Sequence, residues 1–136
     1  MKTPDGGLSV IVRAGDYDSV HYALALAAAA LAVNKPAVLF FTMAGIRALM
    51  GPPPSLENGG LDGWDRDAQN RQRGVGDFET LLQACVELGG RFIVCEMGLR
   101  SLDIDRSRLR TDVPFTIAGI VTLLEETKPG MHLLTL

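Results

Sequence analysis

Three short apolar runs set the rhythm of the chain: Leu8 to Arg13, with Ser-Val-Ile-Val at its centre, Ala37 to Phe41, and Arg91 to Cys95. In each, consecutive rather than alternate positions are apolar, as in strands buried on both faces of a parallel sheet. Helical spacing separates them. After Gly15-Asp16, apolar residues recur at Tyr17, Val20, Leu24, Ala27 and Leu31. Asp16 supplies an N-cap, Asn34 suits the left-handed C-terminal position, and Pro36 forbids continuation. Thr42 to Met50 reads as a short helix closing at Gly51. Asp77 to Leu88 reads as a helix with Phe78, Leu81, Leu82 and Cys85 on one face, ended by Gly89-Gly90.

Beyond the third strand the pattern predicts a turn or short helix over Glu96 to Leu102, then a charged, exposed stretch from Asp103 to Asp112. Val113 to Ile117 is a fourth short strand and Ala118 to Thr127 a helix. Pro129-Gly130 turns the chain into a last strand, Met131 to Leu136. Alternating strands and helices imply right-handed βαβ units. The expected fold is a three-layer α/β/α sandwich with about five parallel strands, in one domain over residues 1–136. Residues 51–76, which contain Pro52-Pro53-Pro54, lack periodicity and read as a long loop or lid. Trp64, the sole tryptophan, is expected to anchor it to this subunit or a neighbour.

Composition narrows the partners. The net charge of −3 offers no basic stripe for nucleic acid. Arginines gather at Arg66, Arg71 and Arg73 and at Arg100, Arg106, Arg108 and Arg110, but aspartates interleave with both groups, so these read as solvated faces or salt bridges. The longest apolar run, Tyr22 to Val33, falls short of the ~20 residues that span a bilayer. With no secretory pattern at its start and two cysteines, the chain is expected to be cytoplasmic, with reduced thiols and no membrane contact.

In open α/β sheets ligands bind outside the carboxyl ends of the strands. Those ends present Asp16 and Tyr17, then Thr42 and Met43, then Cys95, Glu96 and Met97, and finally Gly119, with His21 one turn into the first helix. These residues are the expected lining of a pocket, and Cys95 is the strong nucleophile among them. A thiol ending a strand and opening a turn is both held and reachable, and first-turn amides favour thiolate whereas Glu96 opposes it. The alternative is a thiol buried as a small hydrophobe. Cys85 reads as core. His21 reads equally as a surface or capping residue, and Asp16 is accounted for by capping. Two isolated histidines, His21 and His132, and two separated cysteines give no metal-ligand spacing, so no metal is expected. Gly74-Val75-Gly76 lacks the dinucleotide fingerprint, and no P-loop or nucleophile elbow is present.

Three segments carry a resemblance to a known family: Ser9 to Asp18 with His21 to Ala27, Val38 to Gly45, and Phe92 to Leu102 followed by Pro114 to Glu126. Together they resemble the DsrE/DsrF-like (DsrEFH) family of small sulfur-relay proteins. The resemblance implies a flavodoxin-like sandwich, assembly into homotrimers or hexamers, and a sulfur-accepting cysteine at the position of Cys95. It also implies sulfur donor and acceptor proteins as partners, and no metal or organic cofactor. Many relatives carry a small polar residue where this chain has Gly98. The function expected on this basis is that of a sulfur carrier, or sulfurtransferase-like protein, holding a persulfide on Cys95. The alternative is a non-catalytic oligomeric binding module whose pocket Cys95 lines. A thiol redox sensor is a third reading, and it requires Cys85 close to Cys95, with Cα atoms within ~7 Å.

Overall fold

Each apolar run forms a strand in the computed structural model, which describes residues 6–51 and 60–136. The Pro52-Pro53-Pro54 tract and residues 1–5 lie outside the described residues. The strands are β1 (Leu8–Val12), β2 (Ala37–Phe41), β3 (Arg91–Cys95), β4 (Phe115–Ala118) and β5 (His132–Thr135). The helices are α1 (Tyr17–Ala32), α2 (Arg66–Gln72), α3 (Phe78–Glu87), α4 (Glu96–Ser101) and α5 (Ile120–Glu126), with a 3₁₀ helix over Met43–Leu49. All strand pairs are parallel, in the order β4-β3-β2-β1-β5. The first four strands step in one direction across the sheet, and the last connection reverses to reach the far side of β1. Right-handed crossovers therefore place α1 and α3 on one face and α5 on the other.

Alternation along the strands sorts side chains into two apolar layers. Val10, Val12, Leu39, Phe41, Phe92 and Val94 meet α1 and α3 in the larger cluster. Phe41 and Phe92 stack there with ring centroids 6.2 Å apart. Val38, Phe40, Ile93 and Cys95 form a smaller cluster on the opposite face, closed by Leu123 of α5. The three-layer α/β/α sandwich expected from the pattern, flavodoxin-like as the resemblance implies, is the observed fold, with one layer much thinner than the other.

Three local expectations are corrected. The stretch over residues 51–76, read as lacking regular structure, contains α2. That helix shows no apolar stripe because a polar residue fastens it. Asp67, only 5% exposed, accepts from Tyr17 Oη at 2.6 Å, the Phe78 amide at 2.8 Å and Arg71 Nη2 at 3.0 Å. Trp64 adds edge-on contacts to Tyr17 and Phe78, so it anchors this region to its own subunit. Second, the stretch from Asp103 to Asp112, read as exposed, buries Ile104, Leu109 and Arg110. The Arg110 guanidinium bridges Glu79 and Asp112, with contacts from 2.6 to 2.9 Å. Third, the fourth strand starts at Phe115 rather than Val113. Pro114 has no amide for the ladder, and Val113 turns into the core instead. Among the described residues, no helix is long and apolar enough to cross a membrane.

Candidate functional site

Cys95 ends β3, and its side chain falls on the face that α5 covers, in the same cluster as Ile93 and Leu123. It is paired in register with Ala118 of β4, one residue before Gly119, where α5 begins. The residue is fully buried in the single chain. Immediately after it, Glu96 and Met97 open α4 and lie at the surface. The Glu96 carboxylate pairs with Arg100 at 2.9 Å, both largely exposed.

The backbone beneath α4 is packed without room for a side chain at position 98. A Cβ on Gly98 would stand 2.6 Å from the Met43 amide nitrogen and 3.2 Å from Thr42 Oγ1. The absence of a side chain at Gly98 is therefore what allows α4 to rest on the end of β2. Thr42 is buried there, and its amide donates to the Val12 carbonyl at 3.0 Å, tying β2 to β1. Met43 follows at φ 49°, a left-handed conformation uncommon for a side chain of this size. Thr42, Met43, Cys95, Glu96, Met97 and Gly119 thus belong to neighbouring strand ends.

Asp16, Tyr17 and His21 form a different group, at the end of β1. The Asp16 carboxylate accepts from the Ser19 amide at 3.0 Å and caps α1. Tyr17 is buried, and burial together with the Asp67 carboxylate pushes its phenol well above the ordinary range. His21 stacks on Tyr17 with centroids 5.3 Å apart, and its Nε2 donates to the Gly76 carbonyl at 2.7 Å. Beside them lies a cavity of about 330 Å³ lined by Asp16, Tyr17, Asp18, Asp62, Arg66 and Gln69 among others. Cys95 is not among its lining residues. The carboxyl edge therefore carries two separate features: a polar cavity by β1 and a buried thiol between β3 and α5.

The second thiol is of another kind. Cys85 is fully buried in α3, its Sγ donates to the Leu24 carbonyl at 3.5 Å, and burial pushes its pKa up to about 11. Cys85 belongs to the cluster on one face of the sheet and Cys95 to the cluster on the other. With the sheet between them the two cannot pair as they stand, which removes the geometric basis of the redox-sensor reading. His132 lies on the exposed edge strand β5. Among the described residues no group of three or more His, Cys, Asp or Glu is placed to hold a metal ion.

Sequence reasoning missed the residues that seat α5. Ser9 is fully buried in β1, and its Oγ lies 2.7 Å from Thr127 Oγ1, which also donates to the Leu123 carbonyl at 2.8 Å. Arg91 holds Glu126 through contacts of 2.9 to 3.0 Å. The available signal was Ser9 itself, because a hydroxyl inside a doubly buried strand requires a partner.

The family model for DsrE/DsrF-like proteins matches residues 8–136. A solved structure of a protein of unknown function from Methanobacterium thermoautotrophicum superposes with a TM-score of 0.54 and 16% identity. The match covers 97% of this chain and 99% of that one. At that identity the likeness establishes the fold. No curated protein matches the sequence.

Proposed function

Because this chain belongs to the DsrE/DsrF-like family, we propose that it acts in sulfur relay, carrying sulfane sulfur on Cys95. The observation that supports this reading is the position of Cys95, at the carboxyl end of β3 and in register with the strand that leads into α5. Cys85 offers no competition, since its raised pKa keeps it a thiol at neutral pH. In the first step the Cys95 thiolate attacks the outer sulfur of a sulfane donor. The donor's S–S bond breaks, and its remaining sulfur departs with the electron pair. The Cys95 persulfide is then attacked at its outer sulfur by an acceptor thiolate, which takes that sulfur and releases the Cys95 thiolate. The sequence of steps balances without a metal or organic cofactor.

Complete burial of Cys95 favours a second reading, in which the thiol is a small core hydrophobe and the chain is a binding module. Intact mass spectrometry after treatment with a sulfane-sulfur donor separates the two. For sulfur relay, the wild type and Cys85→Ser gain the mass of one sulfur atom, and Cys95→Ser gains none. If no protein gains sulfur, or Cys95→Ser gains it equally, the relay reading is wrong.

We also propose that copies of this chain associate through the α5 side of the sheet. Parallel sheets are normally covered on both faces. Here a two-turn helix is the main cover on one of them, and Ile120, Val121, Leu124 and Leu133 remain 48, 69, 57 and 47% exposed. Leu133 lies on this face because it registers with Ser9, whose hydroxyl meets Thr127. Light scattering coupled to gel filtration is expected to give a trimer or hexamer for the wild type and a monomer for Val121→Glu/Leu124→Glu. A wild type that is monomeric at tens of micromolar overturns this assignment.

A further inference from the structure

A second concavity lies at the end of α4 away from Cys95. The thiol residue precedes that helix and Leu102 follows it, so the two features flank one short element. One wall is the 3₁₀ helix after β2, where Ala44 and Arg47 stand one turn apart. The other is the segment from Leu102 to Arg108. Between them is a cavity of about 320 Å³, lined by Ala44, Arg47, Met50, Leu102, Ile104 and Arg108. Main-chain bonds fix the walls to each other. The Gly51 amide donates to the Arg108 carbonyl at 3.1 Å, the Arg110 amide to the Leu49 carbonyl at 2.8 Å, and Met50 faces Leu109 in an antiparallel bridge. The Ile104 amide donates to the Leu99 carbonyl at 2.9 Å, which joins the second wall to α4. The cavity is therefore formed in advance, and a ligand has no loop to order.

Apolar surface and positive charge meet in this cavity. Met50 and Ile104 are nearly buried, and Leu102 leaves 42% of its surface uncovered. No aspartate or glutamate is among the lining residues. Asp105, three residues before Arg108, is engaged as a cap and accepts from the Ser107 amide at 2.8 Å. Arg47 is partly compensated, through the Ala44 and Gly60 carbonyls at 3.4 and 3.3 Å and Asp62 at 3.8 Å. The exposed Arg108 guanidinium has no hydrogen-bond or ion-pair partner among the described residues. We infer that the cavity binds a small organic anion, with its apolar body on Met50, Leu102 and Ile104 and its carboxylate on Arg108. A guanidinium offers a carboxylate two parallel charge-assisted bonds. A cationic ligand would face two arginines, and a bare inorganic anion would gain nothing from the apolar surface. The volume is near the lower end of the ~300–1,000 Å³ of small-molecule sites, which suits a single ring or a short chain. Cys95 is not a lining residue, so the assignment stands apart from sulfur relay.

The test uses 4-phenylbutyrate as the probe, 4-phenylbutanamide as its neutral counterpart and sulfate as the bare anion. Each is titrated into the nitrogen-15-labelled protein at constant ionic strength and followed by amide chemical shifts. The carboxylate is expected to shift the amides of Ala44, Arg47, Leu102, Ile104 and Arg108 saturably, and to bind about fivefold more tightly than the amide. Arg108→Gln should abolish that preference and leave the affinity for the amide within about twofold of wild type. The variant removes an exposed, unpaired side chain, and its spectrum away from the cavity checks that the fold is kept. The comparison of carboxylate with amide on the wild type alone stands whether or not the variant folds. The assignment is overturned by any of three results: no saturable shift at these positions by roughly 20 mM phenylbutyrate, equal affinity for carboxylate and amide, or an Arg108→Gln protein that keeps the preference. Sulfate that shifts the same amides with equal affinity also overturns it, since the site would then be a surface cation without an apolar component.

Discussion

Replacing Gly45 by alanine is expected to lower the melting temperature by about 10 °C, through a loss of at least about 3 kcal/mol. Gly45 is buried in the 3₁₀ helix that follows β2. A Cβ there would sit 2.0 Å from the Val12 carbonyl oxygen and 2.6 Å from its carbon. Both are backbone atoms at the end of β1, so no side-chain rotation relieves the overlap. The Gly45 amide donates to the Arg13 carbonyl at 3.1 Å and to that of Thr42 at 3.0 Å, so moving the helix away also strains the bonds that hold it. Gly76→Ala is the control: its Cβ would meet only the Leu81 side chain, at an ordinary 3.4 Å, and a change within about 0.5 kcal/mol is expected. Thermal and urea unfolding of the two variants give the comparison. A Gly45→Ala protein as stable as Gly76→Ala would mean that the two strand ends do not approach as described.

Asp67→Ala should be nearly as damaging, by a different route. Removing the carboxylate leaves the Phe78 amide and the buried Tyr17 hydroxyl without their acceptor. Each orphaned buried group costs about 1–3 kcal/mol, so a total near 3 kcal/mol is expected. Arg71 adds little to this sum, because it is 59% exposed and retains Asp77 at 3.0 Å. Asp67→Asn keeps an acceptor oxygen and should lose roughly half as much. Trp64 serves as the reporter, since it packs edge-on against both Tyr17 and Phe78. In Asp67→Ala its emission should shift to the red before global unfolding, as α2 and its flanking segment detach. A loss under about 1 kcal/mol, with no change in Trp64, would remove Asp67 from its fastening role.

The same contrast explains what could be read from residue order. Strand and helix positions were legible where burial is enforced on every residue of a short run, as in Ala37–Phe41, or at helical spacing, as in α1. The thiol at the end of the third strand was legible for the same reason: the strand had to stop at a turn, and Cys95 stood there. Helix α2 was not legible, because a single buried carboxylate held by Tyr17 and the Phe78 amide, both outside the helix, fastens it and leaves no periodic trace. Nor was the burial of Arg110, whose partner Glu79 is 31 residues away in the chain.

By itself, the sequence determined the α/β class, five strands in parallel, and Cys95 at a strand's carboxyl end, because these follow from hydrophobic burial and local stereochemistry. Tertiary structure alone decided which face each strand-end residue looks toward. The one-residue alternation of a strand sends Cys95 to the α5 side, and the strand order, with β2 between β1 and β3, leaves Asp16 and Tyr17 beside a separate cavity. It also decided that the thiol is buried and how α5 is fastened to the sheet, because the Ser9–Thr127 contact joins residues 118 positions apart. Such contacts depend on the crossover that reverses direction between β4 and β5, and no local pattern in the chain records it.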